Sequence, residues 1–213
     1  MKPVRILIAD DHEIVREGLR AMIERQTGWE VCGEASTGRE AVTQAAKLNP
    51  DIIIMDIGMP ELGGLDATRQ IKRALPNVEV LIFTANETEE IVRNVFKAGA
   101  KAYLLKSDAN KHLIPAIEAL GKHRTFFSSK VSELVFAGYL KTDASADDPS
   151  LTPRERETVQ LVAEGKTSKD IARILGISVK TAETHRATIM RKLQLNSVAD
   201  LVRYAVRNGI VLP

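Results

Sequence analysis

Cysteine is nearly absent from this sequence, and its scarcity excludes several classes of protein. The 213 residues include one cysteine, Cys32. A single thiol cannot form an intramolecular disulfide framework or a cysteine-based metal cluster. Long apolar runs are lacking as well, since no run approaches the roughly 20 residues of a membrane span. The opening residues, MKPVRILIADDHE, place acids directly after a short apolar stretch, unlike a signal peptide. We therefore expect a cytoplasmic protein with no membrane partner.

Charge is distributed unevenly along the chain, although the formal net charge is only +2. Residues 1–125 carry 17 Lys and Arg against 18 Asp and Glu, and residues 126–148 carry 2 against 4. Residues 149–213 carry 11 against 6. The basic excess in the last part suggests contact with a polyanion, although an excess of this size is also common on solvated surfaces.

The first 125 residues alternate short apolar runs with segments of helical periodicity. Each run has the length of a buried strand. The runs are Val4–Ala9, Glu30–Ala35, Asp51–Met55, Glu79–Phe83 and Ala102–Leu105. Five strands alternating with five helices predict an α/β fold, with a doubly wound five-stranded parallel sheet that helices cover on both faces.

The rest of the chain predicts a linker followed by a small all-α domain. Residues 126–148 begin with an apolar stretch that can form a helix and end in the polar, acidic stretch KTDASADD, which has the composition of a linker. Within residues 149–213, helix-capping residues divide the chain into four short helices. These caps are Thr152, Thr167, Ser178 and Ser197. We therefore predict domains at 1–125 and 149–213, joined by 126–148.

Polar residues follow four of the predicted strands. Asp10 and Asp11 follow the first strand, Asp56 the third, Thr84 the fourth and Lys106 the fifth. In doubly wound sheets the functional crevice lies beyond the carboxyl ends of the strands. Clustered carboxylates repel one another and favour a hard cation such as Mg²⁺, which prefers oxygen ligands. A carboxylate such as Asp56 can then attack a phosphoryl group, while Lys106 and Thr84 stabilise charge on the transferred oxygens.

Four stretches carry a family resemblance: ILIADDH, IIIMDIGMPELGGLDATRQIK, VLIFTAN and GAKAYLLKS. They resemble the receiver domains of two-component response regulators, which have a flavodoxin-like fold, and the resemblance covers roughly residues 1–125. It implies that Asp56 is the phosphoacceptor. It also implies that Asp10, Asp11 and Asp56 hold Mg²⁺ together with the backbone carbonyl of Gly58.

The same resemblance assigns roles at the fourth and fifth strands. Thr84 and Lys106 would contact the phosphoryl group, and Tyr103 would be the aromatic switch residue that reorients when Thr84 moves. Ser107 stands where many receivers have proline. This departure leaves open whether the peptide bond before Ser107 is cis, because non-proline cis bonds are costly.

Three other interpretations of the first domain compete with phosphorylation. A hydrolase of the haloacid-dehalogenase type also uses a strand-end aspartate, but it needs a second acid two residues onward, where this chain has Gly58. A degenerate receiver controlled by protein contacts, or a flavin-binding flavodoxin-like protein, would share the fold.

His12, His112 and His123 lack the spacing of metal ligands, and we interpret them as surface or packing residues.

Residues 166–193 predict a helix-turn-helix. Two helical segments are broken at Gly176-Ile177-Ser178, and the second has a mostly polar outer face. Counted from Lys180, the residues three, four, seven, eight and eleven positions later lie with it in one stripe along that helix. The stripe comprises Lys180, Glu183, Thr184, Ala187, Thr188 and Arg191.

The stretch LTPRERETVQLVAEGKTSKDIARILGISVKTAETHRATIMRKLQL closely resembles the LuxR-type output domain of the NarL/FixJ subfamily of response regulators. The resemblance implies that helix 179–193 enters the major groove of DNA. Glu183, Thr184 and Ala187 would approach base edges, and the candidate phosphate contacts would be Lys180, Thr181, Arg186 and Lys192. Arg191, on the outer stripe, is a further candidate for DNA binding. The protein would then be a transcription regulator and not an enzyme, phosphorylated by a sensor histidine kinase and active as a homodimer.

Overall fold

The computed structural model of the chain describes residues 2–85, 88–127, 131 and 151–211. The chain divides into two compact units, one formed mostly by residues before 143 and the other mostly by the residues from 143 onward. Within the described ranges, no helix combines the length and the apolar character needed to cross a membrane.

The first unit is built on one parallel sheet with the strand order β2-β1-β3-β4-β5-β6. Order and direction confirm the predicted doubly wound α/β fold. The strands are β1 (Val4–Ala9), β2 (Trp29–Ala35), β3 (Ile52–Met55), β4 (Glu79–Thr84), β5 (Ala102–Leu105) and β6 (Phe126–Phe127).

The sheet has one strand more than the sequence predicts. In β6, Phe126 pairs with Ala102 and Phe127 pairs with Tyr103. Two residues are too few to show strand periodicity, so the sequence assigned them to the segment between the domains. Apart from Val131, the later residues of that segment, where a helix was expected, lie outside the described residues.

Within the described residues, five helices cover the sheet, as expected for parallel strands that need a crossover connection. They are α1 (Glu13–Glu24), α2 (Gly38–Leu48), α3 (Gly64–Ala74), α4 (Glu89–Lys97) and α5 (Ala109–Leu120). Alternate strand residues such as Ile8, Ile54 and Phe83 join Leu19 of α1 and Leu113 of α5 in one buried cluster. Both faces of the central strands are buried, which explains their continuous apolar sequences.

The second unit contains four helices in its described residues, and they confirm the predicted all-α domain. They are α6 (Pro153–Ala163), α7 (Ser168–Leu175), α8 (Val179–Lys192) and α9 (Val198–Arg207). Thr152 and Thr167 close complete capping boxes at the starts of α6 and α7. The inward apolar residues of all four helices, among them Leu161, Ile189 and Leu201, form one core.

Candidate functional site

Strand register brings the predicted acidic residues together at the carboxyl edge of the sheet. Ala9 pairs with Met55, so the residues that follow them, Asp10 and Asp56, leave adjacent strands at the same level. The Asp56 amide donates a hydrogen bond to the Ala9 carbonyl at 2.8 Å, which extends the pairing by one step. Lys106 follows β5 at this edge. The fold therefore assembles groups that are up to 96 positions apart in sequence.

Lys106 bridges the two buried carboxylates. Its Nζ lies 2.7 Å from Asp10 Oδ2 and 3.1 Å from Asp56 Oδ2. The side chains of Asp10 and Asp56 are 1% and 7% exposed, and that of Lys106 is 19% exposed. The other oxygen of Asp56, Oδ1, accepts a hydrogen bond from the Ile57 amide at 2.8 Å. One ammonium thus acts as counter-ion to two carboxylates that water barely reaches.

Burial and the neighbouring charges shift the pKa values of both Asp56 and Lys106. Burial raises the pKa of Asp56, and the neighbouring Asp10 carboxylate raises it further against the opposing effect of Lys106. Burial by itself lowers the pKa of Lys106, but the hydrogen bonds and charges of Asp10 and Asp56 outweigh it, so that the pKa of Lys106 is raised. The lysine therefore stays charged at neutral pH, whereas the Asp56 carboxylate gains from any additional cation.

His12 lies at the surface, as expected from the sequence, and its ring also contacts the acidic cluster. Its Nδ1 lies 2.7 Å from Asp11 Oδ1 and 3.3 Å from Asp10 Oδ1. One ligand atom from each of Asp10, Asp11, His12 and Asp56 lies within 4.8 Å of all the others. Sequence spacing alone did not single out His12, although its position directly after two acids is the signal that could have done so.

Gly64, at the start of α3, is a second residue that the sequence did not single out. An added Cβ there would lie 1.8 Å from the backbone oxygen of Asp56 and 2.8 Å from its carbonyl carbon. The Gly64 amide donates to the Ile57 carbonyl at 3.0 Å. Only a residue without a side chain permits this close approach, which fixes the backbone that presents Asp56. Gly58, the predicted carbonyl ligand, lies within the same loop.

The remaining predicted residues of this site lie on the adjacent strands. Thr84 ends β4 and pairs with Leu105, directly before Lys106, and its side chain is buried. Tyr103 is fully buried in β5, two residues before Leu105 and therefore on the same face of the sheet as Thr84. The Lys106–Ser107 peptide bond, whose configuration the sequence left open, is trans.

In the second unit, α7 and α8 form the predicted helix-turn-helix. Gly176 ends α7 with a left-handed backbone, φ 64°, a conformation that glycine adopts without strain. Two residues later, Ser178 caps α8 by accepting a hydrogen bond from the Thr181 amide at 3.0 Å. Ala182 and Ile189 anchor α8 in the core. The turn and the cap fix the direction of α8, and they leave its amino-terminal turn in solvent.

Most of the residues predicted to contact DNA are exposed on α8. Arg186 is half-buried and donates a hydrogen bond to Ser168 Oγ at 3.0 Å. Lys192 lies 2.8 Å from a carboxylate oxygen of Glu155, so its charge is already partly compensated. The exposed members are Lys180, Thr181, Glu183, Thr184, Ala187, Arg191 and Lys192.

Comparison with known proteins identifies the family. Residues 6–118 match the family described as response regulator receiver domain, and residues 149–205 match the family described as bacterial regulatory proteins, luxR family. The chain is 40% identical over 209 residues to the transcriptional regulatory protein LiaR of Bacillus subtilis, covering 98% of this chain and 99% of LiaR. This chain belongs to the NarL/FixJ-type response regulators.

Two solved structures resemble this response regulator in fold. One is described as two RcsB dimers bound to two parallel DNAs, with a TM-score of 0.60 and 29% identity, covering 95% of this chain and 98% of that chain. The other is the isolated receiver domain of RcsB from Salmonella enterica serovar Typhimurium with the phosphomimetic BeF₃⁻. Its TM-score is 0.58 at 29% identity, over 62% of this chain and 99% of that chain. The acidic cluster of this response regulator is of the kind through which receiver domains bind Mg²⁺.

Proposed function

We propose that this chain is a phosphorylation-controlled transcription factor in which Asp56 accepts a phosphoryl group from a sensor histidine kinase. The observation that carries the proposal is the bridge from Lys106 to Asp10 and Asp56 at the carboxyl edge of the sheet. A buried pair of carboxylates with one ammonium is costly to maintain, which favours a chemical role over a structural one.

The donor set of the acidic cluster fits Mg²⁺. Asp10, Asp11 and Asp56 offer carboxylate oxygens close enough to share one ion, and Gly58 offers a backbone carbonyl in the adjacent loop. These are the residues that would hold Mg²⁺. When bound, the ion supplies positive charge that offsets the charge on the transferring phosphoryl oxygens.

The protein's own groups account for the rest of the transfer. An Asp56 oxygen attacks the phosphorus of the kinase's phosphohistidine, the new O–P bond forms as the N–P bond breaks, and the imidazole leaves. The Lys106 ammonium neutralises Asp10 and Asp56 before the reaction. After transfer it would lie close enough to stabilise the negative charge on the phosphoryl oxygens. The Thr84 hydroxyl at the adjacent strand end would donate a hydrogen bond to one of these oxygens.

Phosphorylation would then change the protein's surface through Thr84 and Tyr103. Both residues lie on one face of the adjacent strands β4 and β5, and Tyr103 is buried there. Movement of Thr84 toward the phosphoryl group opens space that Tyr103 can enter, which biases the domain between two arrangements. We propose that the phosphorylated arrangement favours a homodimer, in keeping with the dimers of the related RcsB.

The second unit would bind DNA by inserting α8 into the major groove. Lys180, Thr181, Arg186, Arg191 and Lys192 would contact phosphates. Glu183, Thr184 and Ala187, on the exposed stripe, would approach base edges. The structure of RcsB dimers on DNA supports this function for a relative of the same domain composition.

Phosphorylation-dependent DNA binding tests the proposal. The DNA probe would be a labelled duplex selected from random sequences by wild-type protein that has been treated with Mg²⁺ and acetyl phosphate. Fluorescence anisotropy should show that this treatment tightens binding by the wild type but not by Asp56→Asn. Equal tightening of both proteins would contradict the role of Asp56.

The salt dependence of binding tests the role of α8. Lys180→Ala should weaken binding and lower the slope of log K against log salt by about 0.9, because one phosphate contact is lost. Lys111→Ala, which removes an exposed lysine from α5 of the first unit, is the matched control and should leave the slope unchanged. An unchanged slope in Lys180→Ala would remove that residue from the interface.

A further inference from the structure

The imidazole of His12 is placed at the acidic cluster in a way that neither the fold nor the helix requires. His12 occupies the N-cap position of α1, yet its side chain makes no capping hydrogen bond. The ring nitrogen Nδ1 instead faces the carboxylates of Asp10 and Asp11. The side chain is 63% exposed, so solvent alone could satisfy it without this arrangement.

The distances around His12 match those between ligands of a single metal ion. Ligand atoms about 2.1 Å from an octahedral ion are separated by about 3.0 Å when adjacent and about 4.2 Å when opposite. His12 Nδ1 lies 2.7 Å from Asp11 Oδ1 and 3.3 Å from Asp10 Oδ1. The full set, with Asp56, lies within 4.8 Å. His12 Nδ1 thus lies near the spacing of adjacent ligands from both Asp10 and Asp11.

The backbone also fixes the ring near the site. The His12 amide donates to Asp10 Oδ1 at 3.0 Å, and Arg16 donates to the Asp10 carbonyl at 2.8 Å. These bonds hold the residues before α1 in a defined turn. Lys106 contacts the cluster through the Oδ2 atoms of Asp10 and Asp56, whereas His12 contacts Oδ1 atoms. The ammonium and the imidazole therefore meet different oxygens, and an imidazole-bound ion need not displace Lys106.

We propose that His12 is a metal-specificity residue, which adds a nitrogen ligand to the oxygen ligands of the cation site. This inference rests on the proposed Mg²⁺ site. Mg²⁺ prefers oxygen ligands and gains little from an imidazole. Imidazole nitrogen suits Fe²⁺, Ni²⁺, Cu²⁺ and Zn²⁺ better, with affinity rising from Fe²⁺ through Ni²⁺ to Cu²⁺. His12 thus makes the site more receptive to transition metals than its carboxylates alone would be.

Calorimetric titration of the full-length protein, free of any affinity tag, with Mg²⁺ and separately with Ni²⁺ tests the inference. His12→Ala should weaken Ni²⁺ binding by about ten-fold or more, as expected for the loss of a ligand. The affinity for Mg²⁺ should stay within about two-fold, since Mg²⁺ does not depend on nitrogen. His12→Gln, which keeps a polar side chain of similar reach, should behave like His12→Ala.

His123→Ala is the matched control, because His123 is an exposed imidazole at the other edge of the sheet, where it contacts Glu79 of β4. This variant should retain the wild-type ratio of Ni²⁺ to Mg²⁺ affinity. A ratio unchanged in His12→Ala, or an equal loss of both metals, would overturn the inference.

The outcomes separate this inference from the proposed function. Absence of Mg²⁺ binding by the wild type would contradict the proposed Mg²⁺ site itself. Retained Mg²⁺ binding in His12→Ala shows that the variant is folded at the site. Pulsed electron paramagnetic resonance of protein loaded with one equivalent of Cu²⁺ gives a direct check, since coupling to an imidazole nitrogen should be present in the wild type and lost in His12→Ala. Its absence from the wild type would overturn the inference.

Discussion

Replacement of Lys106 by methionine tests the bridge at the centre of the site. The change keeps the length of the side chain but removes the charge that lies 2.7 Å from Asp10 and 3.1 Å from Asp56. With an effective dielectric constant of about 20, each of these contacts is worth roughly 5–6 kcal/mol before desolvation is considered. Removing one partner of a buried ion pair typically costs about 3–5 kcal/mol.

Protonation of Asp56 limits the loss of stability in Lys106→Met. When the ammonium is gone, Asp56 can take up a proton, and protonating a carboxyl group with a pKa near 4 at neutral pH costs about 4 kcal/mol. Because the pKa of Asp56 is already raised by burial, the actual cost is lower. Lys106 is also partly exposed, at 19%. We therefore expect Lys106→Met to reduce the free energy of unfolding of the first unit by about 2–4 kcal/mol without metal.

Urea unfolding followed by tryptophan fluorescence measures this loss in the full-length chain. Trp29 is the one tryptophan in the sequence, and it packs against the core of the first unit. Its emission therefore reports on that unit alone. With a urea dependence of about 1–3 kcal/mol per molar, the midpoint should fall by about 1–2 M.

Two further variants show whether electrostatics is the cause. In Lys106→Met combined with Asp56→Asn, only one of the two carboxylates that Lys106 bridges remains, and at least half of the lost stability should return. The control Lys111→Met, on the exposed surface of α5, should stay within about 0.5 kcal/mol of the wild type. At pH values below the pKa of Asp56 the effect of Lys106→Met should shrink, because a protonated carboxyl needs no counter-ion. A Lys106→Met protein as stable as the wild type, or a double variant without recovery, would refute the reasoning.

Three other predictions concern Gly64, Glu79 and Ser178. Gly64→Ala, which forces a Cβ against the Asp56 carbonyl, should lower the stability of the first unit by about 1–3 kcal/mol or more in the tryptophan assay. Gly18→Ala in α1, with open space around the added methyl, should instead be neutral or stabilising; an equal loss in both would contradict the close-approach argument. Burial raises the pKa of Glu79, but hydrogen bonds from Lys101 and His123 and nearby positive charges outweigh it, and the pKa is lowered. The stability that it contributes is present at neutral pH and is lost as the pH falls through this lowered pKa. Glu79→Gln should therefore destabilise the unit at neutral pH by about 1–3 kcal/mol. The difference in urea midpoint between this variant and the wild type should vanish in acid. A difference that stays constant with pH would show that the charge of Glu79 does not cause the loss of stability. Ser178→Ala should speed amide hydrogen exchange in α8, in proportion to a loss of about 1 kcal/mol; unchanged exchange would mean that the cap is redundant.

Much of the fold could be predicted from the sequence because its signals are local. Five strands were predicted from continuous apolar runs, and the bounds of β1 and β5 agree with the prediction. Helix starts in the second unit were marked by Thr152, Thr167 and Ser178, whose side chains do accept the capping hydrogen bonds. Strand β6 was not predicted, because its two residues pair with β5 but are too few to show a periodic pattern.

The candidate site was only partly predictable. The positions of Asp10, Asp56 and Lys106 follow from one rule, that parallel strands place their carboxyl ends at one edge. Gly64 could not be found in this way, because its constraint is a contact with the backbone of Asp56 that exists only in the folded chain. The contact of His12 with Asp10 and Asp11 could not be predicted, because spacing along the sequence says nothing about the direction in which a ring turns at the start of a helix.

The most direct test of the central claim is the intact mass of the protein after incubation with Mg²⁺ and acetyl phosphate. The wild type should gain the mass of one phosphoryl group. Asp56→Ala should gain none, and the control Asp66→Asn, which alters an acid paired with Arg69 on α3, should be labelled like the wild type. A wild type that stays unlabelled, or an Asp56→Ala protein labelled to the same extent as the wild type, would contradict the assignment of Asp56 as the phosphoacceptor.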